Sequence, residues 1–224
     1  PDDGNSLAAD EINAIYEEDF RGFSYGFRPG RSQHMGLDAL YVAIKRKKVN
    51  WIVDLDIRSF FDHISHEKLV QLIEKRIADP RVLRLIQKWL KAGVMEDGDW
   101  SATEAGTPQG AVISPLLSNV YLHYVLDQWT DEWRQKASGD ITIVRYADDA
   151  ILGFERQKEA ERYLRELQEH LREFELELNE EKTRLIRFGR FAALNRRERG
   201  EGKPEAFTFL GLQHLCGTNK EGSF

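Results

Sequence analysis

Cysteine is almost missing: among 224 residues the one thiol is Cys216. No intrachain disulfide can form, and a cytoplasmic setting is the expectation. Long apolar runs are missing as well. None approaches the ~20 residues that span a bilayer, so no membrane partner is expected. No secretory signal opens the chain. There is no internal repeat and no low-complexity tract. A basic excess is also lacking, since the net charge is −6. That average argues against a nucleic-acid binder, because phosphate contacts need cations. Apolar residues make up 41% of the chain, enough for a sizeable core in one domain or two fused subdomains.

The charge is unevenly spread. Arg21, Arg28, Arg31, Lys45, Arg46, Lys47 and Lys48 lie together against Asp38 alone. Eight Lys or Arg lie between Lys182 and Lys203, against Glu198 and Glu201. The acid concentrates from Glu155 to Glu181, which reads as a solvated helix face. Ordinary solvated surface explains either basic run taken alone. Two such runs on an acidic body can still form an electrostatic footprint.

Taken in order, Pro1 to Ser6 reads as a frayed start, with a helix ending near Tyr16. A loop dense in Gly, aromatics and Arg follows, from Phe23 to Ser32. Ser32 can cap a helix through Leu37, Leu40 and Ile44 to Lys48, with cations at its C-terminus. Trp51 to Ile57 is a strand whose alternation puts Asp54 and Asp56 on one face. Two helices follow, one carrying Leu69 to Ile77 and one starting at Pro80. Glu96 to Gly106 is polar and turn-rich. Ser114 and Pro115 open a long helix to Trp133. Ala160, Tyr163, Leu164, Leu167 and Leu171 form a helical stripe that belongs in a core. Strands are expected around Leu176, Leu178 and Arg184 to Phe188. Arg190 to Lys203 reads as a basic connection, and Phe207 to Leu212 as the first strand of a last hairpin.

The central stretch is Val144-Arg145-Tyr146-Ala147-Asp148-Asp149-Ala150-Ile151-Leu152. Apolar strand-like runs flank a short polar break, so a hairpin is expected with Ala147 and Asp148 near its tip. Ala-Asp suits such a tip poorly, because favoured hairpin turns need positive φ and use Asn-Gly or Asp-Gly. A local rule broken between two good strands marks a functional site. Adjacent carboxylates repel unless a cation sits between them, and hard oxygen donors suit magnesium.

An Asp-Asp pair alone is weak, since many are surface turns. The ordered set is more specific: Tyr25 to Ser32, Asp56-Ile57-Arg58-Ser59-Phe60-Phe61-Asp62, Gly106-Thr107-Pro108-Gln109-Gly110, Ile113 to Leu117, Tyr146-Ala147-Asp148-Asp149, Asn179 to Thr183 and Phe209-Leu210-Gly211. Together they resemble the reverse transcriptases encoded by bacterial group II introns. The resemblance runs from about Ile12 to Phe224. It implies an α+β fold: a right-hand polymerase palm, an antiparallel sheet backed by helices, with a mostly helical fingers subdomain. It divides the chain into fingers (1–50 and 63–105) and palm (51–62 and 106–224), with a thumb absent.

The resemblance also implies a function, RNA-directed DNA polymerisation on an RNA template from a DNA primer with deoxynucleoside triphosphates. The cofactor would be two magnesium ions, with manganese able to substitute. Asp56, Asp148 and Asp149 match the metal ligands, with the carbonyl of Ile57 as a backbone ligand. Asp54 and Asp62 compete with them as supporting or structural acids. Lys182 matches a general acid, against an ordinary surface lysine. Phe61, Gln109, Gly110 and Arg58 match nucleotide-binding positions, Phe61 as the ring under the sugar. One of Phe60 and Phe61 is expected in the core, and that is Phe60. Arg28, Arg31, Tyr146, Phe209, Leu210 and Gly211 match template or primer contacts, with core burial an equal reading for Phe209 and Leu210.

The match departs at Pro1 to Asp10, which lacks the basic segment expected ahead of the fingers. A fragment of a longer protein, one that meets intron RNA, is therefore expected. Two other readings compete. A catalytically idle RNA-binding or intron-splicing module fits the basic runs. A metal-dependent phosphohydrolase fits Asp54-Leu55-Asp56 but leaves the Pro-Gln-Gly and hairpin segments without purpose.

Overall fold

A computed structural model describes residues 3–91, 94–96, 99–101 and 114–217, with side chains described for 9–90 and 115–217. Its frame is a four-stranded antiparallel sheet in the order β4–β5–β1–β6. These strands are β1 (Trp51–Leu55), β4 (Ile141–Tyr146), β5 (Asp149–Phe154) and β6 (Arg184–Arg187). Successive strand residues point to opposite faces, so β1 serves two cores at once. Val53 and Leu55 enter a large core; Ile52 enters a smaller one on the other face.

Helices cover the first face. They are α1 (Asp3–Glu17), α4 (His66–Glu74), α5 (Pro80–Lys91), α6 (Ser114–Leu122), α7 (Trp129–Gln135) and α8 (Gln157–Glu173). Leu69, Ile73, Val120, Leu126, Tyr163 and Leu167 pack there with the sheet. The stripe expected on α8 is this buried face, and truncating Leu167 to alanine would cost about 2–5 kcal/mol.

On the second face lies a smaller cluster. α2 (Gln33–Arg46) lays Leu40 against Val144, Ile151 and Ile186. The hairpin of β7 (Phe207–Phe209) and β8 (Leu212–His214) adds Phe207 and Phe209. Ser32 caps α2 as expected: its hydroxyl accepts from the Met35 amide at 3.3 Å.

Several elements differ from the sequence reading. α1 begins at Asp3, inside the stretch read as frayed. A small hairpin, β2 (Val94–Glu96) with β3 (Asp99–Ser101), occupies part of the polar turn region. The long helix after Ser114 is interrupted by a π-helical segment, His123–Gln128. The basic connection contains α9 (Ala192–Glu198). Phe207 to Leu212 holds a turn as well as a strand: Leu210 and Gly211 have φ of 50° and 76°, a tight hairpin tip. A short helix, α3 (Phe60–His63), follows the end of β1.

Candidate active site

The acids meet at one end of the sheet. Leu55 pairs with Ala150 and Asp54 with Arg184. Tyr146 pairs with Asp149. The next row across the sheet therefore reads Tyr146, Asp149, Asp56, Lys182. Each lies two residues from Val144, Ile151, Asp54 or Arg184, on the face of the smaller core. In this row Asp149 and Lys182 are exposed, and Tyr146 and Asp56 are half-buried. Asp148 stands in the two-residue loop between β4 and β5.

A turn from Asn179 to Thr183 clamps Asp56. The Asp56 carbonyl accepts from the Asn179 amide at 2.9 Å and from Thr183 Oγ1 at 3.1 Å. Thr183 Oγ1 in turn accepts from the Asp56 amide at 3.3 Å. Asn179 Oδ1 accepts from the Glu181 amide and so shapes the turn. The result places Lys182 Nζ 3.6 Å from Asp56 Oδ2, with the lysine side chain 69% exposed. Asp54 is engaged elsewhere, in an ion pair with Arg184 at 2.8 Å.

The carboxylates sense one another. Burial raises the Asp148 pKa, and Asp56 adds to the rise while Arg145 and Lys182 oppose it. Asp149 opens to solvent at its surface, yet desolvation by the surrounding chain raises its pKa. Asp148, Asp56 and Asp54 push it further, and Lys182 opposes. Such mutual repulsion is what a bound cation relieves. All three donors are hard carboxylate oxygens, which fits magnesium. Among the described residues no three acidic, histidine or cysteine side chains stand as a ready metal cluster. Asp56 faces the ammonium of Lys182 instead.

The hairpin tip is held from behind. Arg145 alternates inward beside Ile143 and is fully buried. Its Nε and Nη2 donate to the two oxygens of Asp127 in the π-helical segment, both at 2.7 Å. Its Nη1 donates to the Ala147 carbonyl at 2.6 Å and to Asn119 Oδ1 at 3.0 Å. Asn119 Nδ2 donates to the Gly26 carbonyl at 2.6 Å. Gly26 lies so close that a Cβ there would sit 2.3 Å from the Ala147 amide nitrogen. The 23–25 segment adds to the edge of β4: the Tyr25 amide donates to the Arg145 carbonyl at 2.8 Å, and the Arg145 amide to that of Phe23 at 2.9 Å. These supports carry Ala147 in the left-handed region, φ 54°. Positive φ at a non-glycine residue costs about 1–2 kcal/mol, so the surrounding structure must impose it. Among the described residues five non-glycine positions have positive φ; Phe27, Ser59, Ala147 and Leu210 all lie in segments singled out by sequence, and Glu175 does not.

The remaining expected site residues divide. Phe60 is buried in the large core; Phe61 is half-buried and meets it edge-on, ring centroids 5.3 Å apart. Tyr146 is half-buried, with the exposed ring of Phe27 at 6.2 Å. Leu210 and Gly211 form the last hairpin's tip, while the Phe209 ring is buried in the smaller core. The Ile57 side chain is buried. Arg58 is exposed, 3.9 Å from Glu177, and lines a cavity of about 320 Å³ with His63, Arg172 and Glu175. Arg31 rests over the Tyr25 ring at 5.1 Å.

Arg28 is not presented to a ligand. It is 6% exposed, and its guanidinium donates to Glu17 at 2.6 Å and to the carbonyls of Arg21 and Ser24 at 2.8 and 2.7 Å. Those bonds make it a staple of the loop. Gln109 and Gly110 lie outside the described residues.

Sequence reasoning gave no individual role to Arg145, Asp127, Asn119 or Thr183. A signal existed for the first two. An Arg at an inward position of an apolar strand and an Asp inside Val125-Leu126-Asp127 each require a buried partner.

Residues 4–214 match the reverse transcriptase (RNA-dependent DNA polymerase) family, and the chain belongs to it. It is 42% identical over 127 residues to the group II intron-encoded protein LtrA of Lactococcus lactis subsp. cremoris, covering 56% of this chain and 20% of that protein. It is 33% identical over 172 residues to protein YkfC of Escherichia coli (strain K12), covering 63% of this chain and 45% of that one. The chain thus spans less than half the length of either relative. The structure of apo telomerase from Candida tropicalis truncated from its C-terminal domain superposes with a TM-score of 0.65 at 15% identity, covering 94% of this chain and 43% of that one. At that identity the likeness concerns the fold: a mixed helix and antiparallel-sheet architecture of the polymerase palm-and-fingers type. No helix among the described residues is long and apolar enough to cross a membrane.

Proposed function

We propose that this chain is the polymerase portion of a group II intron-type retroelement protein. It adds deoxynucleotides to the 3′ hydroxyl of a DNA primer along an RNA template. The observation that carries this reading is the row Asp149–Asp56–Lys182 at the open end of the sheet, with Asp148 in the adjoining loop. A palm of 51–62 and 106–224 then bears the site, and fingers of 1–50 and 63–105 flank it.

Asp56, Asp148 and Asp149, with the Ile57 carbonyl, would hold two magnesium ions, or manganese, and these would supply activation of the attacking oxygen and stabilisation of the leaving one. The chain's own residues do the rest. Lys182, held beside Asp56, donates a proton toward departing pyrophosphate. Phe61 sits under the sugar and excludes a ribose 2′ hydroxyl. Arg31, rather than the stapled Arg28, meets template phosphate. Tyr146 packs under the primer end, and Leu210 with Gly211 grips it. Gln109 and Gly110, with Arg58, match the nucleotide-binding positions of the family. Intron RNA is the partner of the longer protein.

The test is primer extension with magnesium. Asp148→Ala should abolish it while RNA affinity persists. Undiminished extension by that variant would refute the metal assignment. RNA binding without extension by the parent protein on any template would favour the idle splicing reading instead.

A further inference from the structure

The two basic runs that are far apart in sequence meet at one place in the fold. The joint is the link between α2 and β1. The Phe188 amide donates to the Asn50 carbonyl at 3.0 Å. Gly189 lies so tightly on Val49 that a Cβ would stand 2.2 Å from its carbonyl oxygen, and its φ of 122° suits glycine. The joint lays Arg190 and Phe191 against Lys45 to Lys48. A cavity of about 370 Å³ is lined by both runs. A second, of about 390 Å³, continues past Arg187 and Phe191 to Asn195.

This surface is far from the acids. It lies at the Trp51 end of β1, five residues from Asp56, or about 17 Å at ~3.3 Å per residue. Lys45 and Arg187 rest over the rings of Tyr41 and Trp51, and Glu155 lines both cavities, but the other cations are uncommitted or weakly paired. Among the described residues, no carboxylate pairs with Arg46, Lys47 or Arg190. Lys48 reaches Glu155 only at 3.8 Å. One large apolar side chain stands out of the same patch, Phe191, 53% exposed. On a chain of net charge −6, such a concentration of free cations is a directed feature.

We propose that this end of the sheet is a docking surface for the sugar-phosphate backbone of a folded RNA, apart from the primer–template path. Spaced cations along a concave groove match a row of phosphates. The Phe191 ring at its rim suits stacking of an unpaired base. The inference rests on the polymerase reading in one respect, that RNA is the polyanion the chain meets. A polymerase extends one RNA segment at the acids while holding another part of that RNA at the far end.

The test uses Arg46→Ser/Lys47→Ser/Arg190→Ser, with Phe191→Ser as a separate variant. The probe is an RNA hairpin with no recessed 3′ end, titrated over a salt series. The triple variant should bind it at least about tenfold more weakly. The slope of log affinity against log salt should shrink by about 2–3, since each phosphate contact contributes ~0.7–0.9. Extension of a short primer on a short unstructured template should stay at the parent level. Phe191→Ser should weaken hairpins carrying an unpaired base more than fully paired ones. Unchanged hairpin affinity would overturn the proposal. So would an equal loss of extension, which would put the patch on the primer–template path. Equal parent affinity for vesicles of anionic lipid would overturn it too. If the parent protein extends no primer, the polymerase reading fails while the hairpin titration still reads the docking surface.

Discussion

Arg145 and Asp127 meet in a two-pronged ion pair, both bonds 2.7 Å, with neither side chain exposed. The same guanidinium holds the Ala147 carbonyl, one residue before Asp148. A strand and a π-helical segment are thereby fastened at the point where the hairpin adopts its strained tip. Removing one member of a buried pair strands the other. Arg145→Ala should therefore cost about 3–5 kcal/mol in denaturant unfolding. Arg145→Lys keeps the charge but cannot satisfy Asp127 and Ala147 together. That variant should fold, keep its RNA affinity and lose extension by up to about 100-fold, the usual penalty for misplacing a catalytic group by an ångström. Parent-level extension by the lysine variant would show that the pair stabilises the fold without positioning Asp148.

Gly26→Ala tests the other support. The new methyl would meet backbone at 2.3 Å, which no side-chain rotation relieves. Either the 23–28 loop or the hairpin tip must move. We expect destabilisation of about 1–3 kcal/mol, as for overpacking elsewhere, with a loss of extension larger than that figure explains. Thermal unfolding and primer extension on the same preparation separate the two.

Phe61 presents a half-buried ring, while Phe60 belongs to the core. Phe61→Ala should therefore cost less than the ~3–5 kcal/mol of a fully buried Phe. It should raise incorporation of ribonucleotides relative to deoxynucleotides. An unchanged ratio, measured by competition of the two triphosphates, would remove Phe61 from the sugar-selecting role.

Stability should fall in mild acid through His123. Its ring is buried between Phe20 and Tyr124, with Nδ1 unpartnered. Burial lowers its pKa; Asp127 and Asp19 oppose the drop, while Arg21 and Arg145 support it. The folded state thus binds the proton less readily than the unfolded one. The stabilisation is complete above the ordinary value of 6.5 and drains away as pH falls below it. His170 and His214 are lowered in the same direction by burial. His123→Gln should flatten the pH dependence of the unfolding midpoint without abolishing it. A midpoint that rises as the solution is acidified would contradict this sign.

Much of the site was legible because its chemistry is local. Asp56 closes an alternating strand, and Tyr146-Ala147-Asp148-Asp149 breaks the hairpin rule between two good strands. The positive φ of Ala147 is the form that this broken rule takes. Other parts had no local trace. Arg28 sits in a loop full of glycine and aromatics and looks exposed, yet Glu17 and two carbonyls draw it inside. α9 is seven residues long, too short to display a period, and buries little beyond Ala192. A π-helical turn leaves no readable period in a segment where polar His123 and Asp127 are buried alongside Val125 and Leu126.

By itself the sequence determined which residues would carry the chemistry and which strands and helices would hold them. Period, capping and turn rules act over a few neighbouring residues and can be read directly. Tertiary structure alone decided what stands beside what. Lys182 reaches Asp56, Arg145 locks to Asp127, and Lys45 to Lys48 join Arg190, because antiparallel register and face-to-face packing bring together residues that no local rule connects.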